Sequence, residues 1–243
     1  MTTYKMDYAN RGTAVIINNK NFSKLKARDG TDVDAANMEM LLTTIGFKSI
    51  RRKNDLTAKQ IKDELNEASR QDHSSNGCFV CVILTHGEKD FIYGTDGPLA
   101  IKDVILPFTD EKCPALVGKP KIFFIQACRG GEYDEGVDAV DSKKEPEVVE
   151  TIIPFHIDFF IAYSVTPGYA SWRNGKMGSW FIQAIVEVFS KKWKSLDLMT
   201  MMTRVNKKVA YDFESYSKDP DRDRKKQIPC IASMLTRDVF FEL

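Results

Sequence analysis

Two runs constrain the fold of this chain more than any other feature. Residues 78–84, Cys-Phe-Val-Cys-Val-Ile-Leu, are apolar at every position, and Lys121-Ile-Phe-Phe-Ile-Gln126 is nearly so. A strand sends successive side chains to opposite faces, so a run without polar positions must be covered on both. Such strands sit in the middle of a mostly parallel sheet flanked by helices. The remaining text supplies the partners. Residues 13–18 read as a buried strand, and a helix follows from 31 to a stop at Gly46, with Thr31 able to cap it and Asp32 and Asp34 at its positive end. Its inner face is expected to carry Val33, Asn37, Met40, Leu41 and Ile45. Residues 48–53 read as a weak strand. Asp55-Leu-Thr57 opens a second helix through about residue 70, with Ile61 and Leu65 on one face. Further on, 158–163 reads as a strand, 178–190 and 196–211 as helices, and 230–235 and 238–243 as closing strands. The order β-α-β-α predicts an α/β chain.

Charge narrows the function. Thirty-five Lys and Arg oppose 34 Asp and Glu among 243 residues, so no global field exists to hold nucleic acid or an acidic membrane surface. No stretch reaches the roughly 18 apolar residues of a membrane span, and residues 1–10 are too polar for a secretory signal. The expectation is a soluble, cytoplasmic protein. Five cysteines form an odd set in a long chain, which suits a reduced compartment. Cys78, Cys81 and Cys230 lie in or beside apolar runs, where a thiol packs as a small hydrophobe. The Cys78-x-x-Cys81 pair falls within a strand, so its side chains diverge, and no second pair completes a zinc set. No metal or cofactor is expected.

In sheets of this kind ligands gather beyond the carboxyl ends of the strands. The polar residues just past the two apolar runs are His86 and Cys128. His73 and His156 stand in polar loops and read as surface residues. Gly87 follows His86 and lets a substrate approach the backbone. Arg129-Gly-Gly131 follows Cys128 and offers positive charge and free N–H groups, conditions that favour a thiolate and an anion nest. Read from residues alone, the pair is either a nucleophile with its acid/base or a buried thiol beside a loop imidazole. Phosphatase-type thiol chemistry wants an arginine about six residues after the cysteine, and position 134 is Asp. Residues 129–150 show no periodicity, and a stretch of that length is functional or disordered.

The segment Gln126-Ala-Cys-Arg-Gly130, with His86 lying 42 residues before Cys128, resembles the signature of the caspases, the aspartate-specific cysteine proteases. The resemblance runs from about Tyr4 to Leu243 through Asn18-Asn-Lys-Asn-Phe22, Gly30-Thr-Asp-Val-Asp-Ala-Ala-Asn37, Thr85-His-Gly87, Ser171-Trp-Arg-Asn174 and Gly178-Ser-Trp-Phe181. It is strongest to an effector caspase whose pro-segment is short or absent. It implies a caspase-like three-layer sandwich, an about six-stranded mostly parallel sheet with helices on both faces. It also implies one catalytic domain over 1–243, cut after Asp141 into a large subunit (1–141) and a small one (142–243). Asp138 lies three positions earlier and forms a second cut.

By the same resemblance Cys128 is the nucleophile and His86 the acid/base, and the backbone N–H groups of Cys128 and Gly87 meet the oxyanion. Arg28, Arg173 and Gln126 hold the substrate aspartate, a task that suits planar guanidinium groups. Ser171 belongs to the same substrate-binding segment. Trp172 walls the neighbouring pocket, and Asn174 and Trp180 recognise an aspartate four positions before the cut. No third orienting side chain is evident, and a backbone carbonyl is expected to orient the imidazole. Effector caspases commonly carry an aromatic where this chain has Ala170. Residues 218–224 are more charged than the family's loop, so Arg222 and Arg224 either attract distant acidic residues or are simply solvated. The implied partners are proteins with Asp-x-x-Asp sites, a second copy in a dimer of processed heterodimers pairing through the apolar last strands, an upstream initiator protease and inhibitor proteins. The alternative is a catalytically silent regulator that dimerises with an active relative, against which the intact signature argues.

Overall fold

The two apolar runs become adjacent strands at the centre of one sheet. The computed structural model describes residues 2–130 and 157–242. In chain order they form β1 (Asn10–Asn18), α1 (Thr31–Ile45), β2 (Ser49–Asn54), α2 (Ala58–Ser69), β3 (Asn76–Leu84), β4 (Gly87–Glu88), β5 (Phe91–Tyr93), β6 (Pro98–Ala100), α3 (Ile101–Ile105), β7 (Lys121–Gln126), β8 (Phe159–Tyr163), β9 (Arg173–Asn174), β10 (Gly178–Ser179), α4 (Trp180–Lys192), α5 (Leu198–Asp212) and β11 (Cys230–Ser233). The six-stranded sheet runs β11-β8-β7-β3-β1-β2, parallel throughout except for β11, which pairs antiparallel with β8.

Alternation along β3 builds both cores. Cys78, Val80, Val82 and Leu84 face one side with Met38, Leu41, Leu42, Phe181, Met201 and Val205 of α1, α4 and α5. Phe79, Cys81 and Ile83 face the other, with Ile61, Leu65 and Val104 of α2 and α3. Cys78 and Cys81 therefore sit on opposite faces of the sheet, both fully buried. Burial pushes the Cys78 thiol up to about 12 and raises that of Cys81. These are packing thiols. Among the described residues no helix is long and apolar enough to cross a membrane.

Several expectations are corrected. The buried face of α1 is Asp34, Ala35, Met38, Leu41, Leu42 and Ile45, whereas Met40 is 66% exposed and Val33 and Asn37 are only partly buried. A buried polar residue, Asp34, heads the face and breaks the hydrophobic period. Thr31 does not cap α1. Gly30 does, in a left-handed conformation (φ 86°), and the Thr31 hydroxyl instead donates to Asn18 and accepts from Arg28. Thr57, by contrast, caps α2 in a full capping box with Gln60. His73 is not a surface residue. It is fully buried, bonded to the Ala68 carbonyl at 2.9 Å and to Asn76 at 3.1 Å, and burial lowers its pKa.

Residues 238–242 do not extend the sheet. Asp238 makes a single parallel bridge to Thr3, while Val239 and Phe241 plug into the core beside Phe189. The strand-like alternation there serves packing against helices. His156 and the segment holding Gly131, Asp138 and Asp141 lie outside the described residues.

Candidate active site

The register of β3 on β7 pairs Leu84 with Gln126, so His86 and Cys128 each stand two residues past paired positions, at the same sheet edge. Beyond β3 the chain turns into the small sheet β4-β5-β6, and a Cβ on Gly87 would come within 2.8 Å of the Cys128 carbonyl. Glycine at this position lets the hairpin pack against the cysteine loop. Gly130 plays the same part on the other side, where a Cβ would strike the backbone of Gly168. Arg129 lies between them, buried, with its guanidinium 4.1 Å from the Tyr163 ring centre. A cleft of about 620 Å³ lined by Gly87, Glu88, Lys89, Arg129, Gly130, Pro167 and Gly168 opens beside this loop.

A backbone carbonyl does orient the imidazole: His86 Nε2 lies 2.8 Å from the carbonyl oxygen of Lys26. A carbonyl can only accept, so Nε2 carries the hydrogen and Nδ1 is the nitrogen left for proton transfer. The Phe22 ring packs on the imidazole with centroids 4.7 Å apart. Burial lowers the pKa of His86, the Lys26 carbonyl opposes that shift, and Arg28 and Arg173 reinforce it. Cys128 Sγ accepts a hydrogen bond from the Ser171 amide at 3.4 Å. The Ser171 hydroxyl accepts from Gln126 Nε2 at 2.7 Å. Gln126 is thus drawn beside the sulfur from within β7.

Both arginines come to this place. Arg28 is 1% exposed. Its Nη1 donates to the Asn19 carbonyl at 3.1 Å and to Thr31 Oγ1 at 2.7 Å, while Nε and Nη2 are buried without hydrogen-bond partners among the described residues. Burial, then repulsion from Arg173, pushes its pKa down to about 9, a measure of how poorly the empty pocket solvates the charge. Arg173, on β9, donates from Nε to the Asp29 carbonyl at 2.8 Å, and burial lowers its pKa too. Two guanidiniums beside a thiol can together take one carboxylate.

Trp172, Trp180 and Phe213 stack in series, with centroid spacings of 5.7 and 5.5 Å. The Trp172 amide donates to Gln227 Oε1 at 2.7 Å, and Gln227 Nε2 donates to the Ser164 carbonyl. Asn174 spends its side-chain oxygen on the amides of Lys176 and Met177, which closes the turn between β9 and β10. Arg222 and Arg224 have acidic neighbours in their own loop, Asp219 at 3.6 Å and Asp223 at 3.9 Å. Phe22, Lys26, Phe213 and Gln227 were not singled out from sequence, and Thr31 and Asp34 were read only as the start of α1. Phe22, Thr31 and Asp34 lie inside motif segments and so carried a usable signal, whereas the Lys26 carbonyl acts through atoms every residue has.

Comparison with known proteins identifies the family of the chain. The model of the Caspase domain family matches residues 11–240. Caspase-3 of Bos taurus is 48% identical over 242 residues, covering 98% of this chain and 87% of that protein. Caspase-7 of Gallus gallus is 45% identical over 247 residues, covering 98% and 79%. The crystal structure of Caspase-1 from Spodoptera frugiperda superposes with a TM-score of 0.91 at 40% identity, covering 100% of this chain and 94% of that one. The chain belongs to the caspase family, resembles its effector members, and is a cysteine-type peptidase.

Proposed function

We propose that this protein cuts peptide bonds after aspartate, at Asp-x-x-Asp sites, and dismantles cell proteins during apoptosis once its own chain is cut at Asp141. The observation that carries this reading is the pair of unpartnered, buried donors on Arg28, Nε and Nη2, beside Arg173 and Cys128. Unsatisfied buried donors are costly and persist where a ligand completes them.

The chemistry follows from the placement of the side chains. With its proton passed to His86 Nδ1, the Cys128 thiolate attacks the main-chain carbonyl carbon of the aspartate, and the carbonyl π electrons move to oxygen. The N–H groups of Cys128 and Gly87 donate to the oxyanion, a role whose loss typically costs about 10²–10³-fold per donor. As the C–N bond breaks, His86 gives its proton through Nδ1 to the departing amine, leaving a thioester. Water then attacks, His86 takes its proton, and the C–S bond breaks to release the new carboxylate and restore the thiolate. Lys26 holds the ring through Nε2 in both steps. Ser171 and Gln126 help hold the sulfur and the pocket in one geometry.

Cutting after Asp141, with Asp138 as a second cut, would separate a large subunit (1–141) from a small one (142–243), and two such pairs would join through β11, an edge strand paired on one side only by β8. The test is a comparison of the purified chain with Cys128→Ala on a gel and on an Asp-Glu-x-Asp peptide. Self-cutting and turnover should both vanish in the variant. Turnover that survives, or equal cutting after Asn and Asp, would overturn the reading.

A further inference from the structure

One buried carboxyl lies under the socket and takes no part in the chemistry above. Asp34, on the first turn of α1, is 0% exposed. Its Oδ1 accepts the Ser179 amide of β10 at 2.8 Å, and its Oδ2 is buried without a hydrogen-bond partner among the described residues. Gly178 beside it has φ 84°, and a Cβ there would fall 2.2 Å from Oδ1, so the carboxyl is pressed against β10 where only glycine leaves room. Ser179 is the register partner of Arg173. The Arg173 Nε bonds the Asp29 carbonyl, one residue from Arg28. A closed loop of contacts therefore runs from Arg28 through Asp29 to Arg173, across to Ser179, and back through Asp34 into α1.

We propose that Asp34 is the positioning residue and built-in counter-ion of the carboxylate pocket: it ties the hairpin bearing Arg173 to the helix that follows Arg28, and it holds the negative charge that the substrate aspartate later joins. This rests on the reading of Arg28 and Arg173 as the aspartate socket. Two cations share this buried site, and Asp34 is a carboxyl set against both of them. The groups that face it are Arg28 from the loop before α1, Arg173 from β9, and the amide and hydroxyl of Ser179 at the start of α4. Burial pushes its pKa up to about 6, against the pull of Ser179 and the two arginines. An arriving aspartate adds a second negative charge and raises that pKa further. Binding then takes up a proton, so acid must tighten binding of a charged residue in the pocket.

The experiment uses the Cys128→Ala protein, which binds without turnover, and two peptides alike except for Asp or Asn at the cut position. Between pH 7.5 and 5.5 the Kd of the Asp peptide should fall by about two- to sixfold relative to the Asn peptide, the part of a half-unit to one-unit rise in the Asp34 pKa that is expressed over that range. His86 is coupled to Arg28 and Arg173 and so feels the added carboxylate as well, and its share is the slope that remains once Asp34 is neutralised. Adding Asp34→Asn, which keeps an acceptor for Ser179, should remove most of the slope. Asp34→Ala should weaken the Asp peptide at every pH, with Asp34→Asn restoring most of that loss at pH 7.5. A ratio that stays flat in the parent protein overturns the role of Asp34 without needing either variant. Should the Asp peptide bind no tighter than the Asn peptide at any pH, the arginine socket itself is refuted, which is a different failure.

Discussion

The two guanidiniums of the pocket stand on ground built in opposite ways. Arg28 is sealed inside the protein although the loop before it is largely exposed: its amide bonds the Lys20 carbonyl, its Nη1 bonds Asn19 and Thr31, and the side chain is nearly inaccessible. Arg173 stands on a two-residue strand in a hairpin whose turn, residues 175–177, is exposed, with one bond from Nε to Asp29. Both would grip the same carboxylate, yet only Arg28 is woven into the protein. A charge sealed in without a full set of partners costs the fold something, whereas a half-exposed charge borrows solvation from water.

The widest gap should appear when each is replaced by methionine, which keeps the stem and removes the charge. Either variant should lose about 10³-fold in kcat/KM on an Asp-Glu-x-Asp peptide, as truncation of a desolvated charged contact does. Stability should separate them. Arg28→Met removes a buried, half-satisfied cation and should melt at or above the parent temperature, while Arg173→Met should melt close to it. A melting temperature for Arg28→Met several degrees below that of Arg173→Met would mean the Asn19 and Thr31 bonds outweigh the buried charge, reversing the comparison.

Thr31 tests how much this buried anchorage does for Arg28. Its hydroxyl is a relay, accepting from Arg28 and donating to Asn18 Oδ1 at 2.8 Å. Thr31→Val keeps the shape and deletes both bonds. One hydrogen bond to a charged group is worth about 1.5–3 kcal/mol net, so KM should rise about ten- to a hundredfold with kcat little changed. A fall in kcat at constant KM would show that Thr31 acts on the reacting atoms instead, and the loop would lose its role as the rigid half.

How much of this was legible depends on which atoms do the work. The apolar runs at β3 and β7 foretold the central strands because uninterrupted hydrophobicity has one economical solution in an α/β chain, and Lys121–Gln126 is the strand's full extent. His86 and Cys128 were legible as polar residues at buried strand ends. The face of α1 was misread because its head is Asp34, a buried carboxyl bonded to the Ser179 amide, and a hydrophobic period passes over such a residue. Thr31 was misread as a cap for the same reason: its hydroxyl is taken by Arg28. His73 was misread because polar neighbours in sequence say little about a ring that turns inward against Phe79, 6.0 Å away. The arginines invert the pattern. Sequence marked Arg173 through the tryptophan beside it, while Arg28 looked like any loop arginine, and Arg28 is the more deeply buried of the two. Burial of a loop residue depends on contacts distant in sequence, which no local pattern records.

The smallest expected effect lies on the hairpin side and asks whether its openness can be increased. Asn174 Oδ1 accepts from the amides of Lys176 at 2.8 Å and Met177 at 3.1 Å, so this one oxygen shapes the turn that returns the chain to Ser179. Asn174→Ala removes both acceptors, but the two amides sit in exposed backbone where water replaces them, so the melting temperature should barely move. The cost should fall on Arg173, whose strand is only two residues long. Loosening it spreads the guanidinium over more positions and should raise KM about threefold, leaving kcat near the parent value. Asn174→Asp retains the acceptors, so it should hold Arg173 in place and keep KM for the pocket aspartate. Its added charge would instead repel an aspartate four positions upstream, and that preference should weaken while a neutral residue there is tolerated as before. If Asn174→Ala and Asn174→Asp raise KM equally on a substrate neutral at that upstream position, the turn does not govern Arg173, and the hairpin is as firmly set as the loop that carries Arg28.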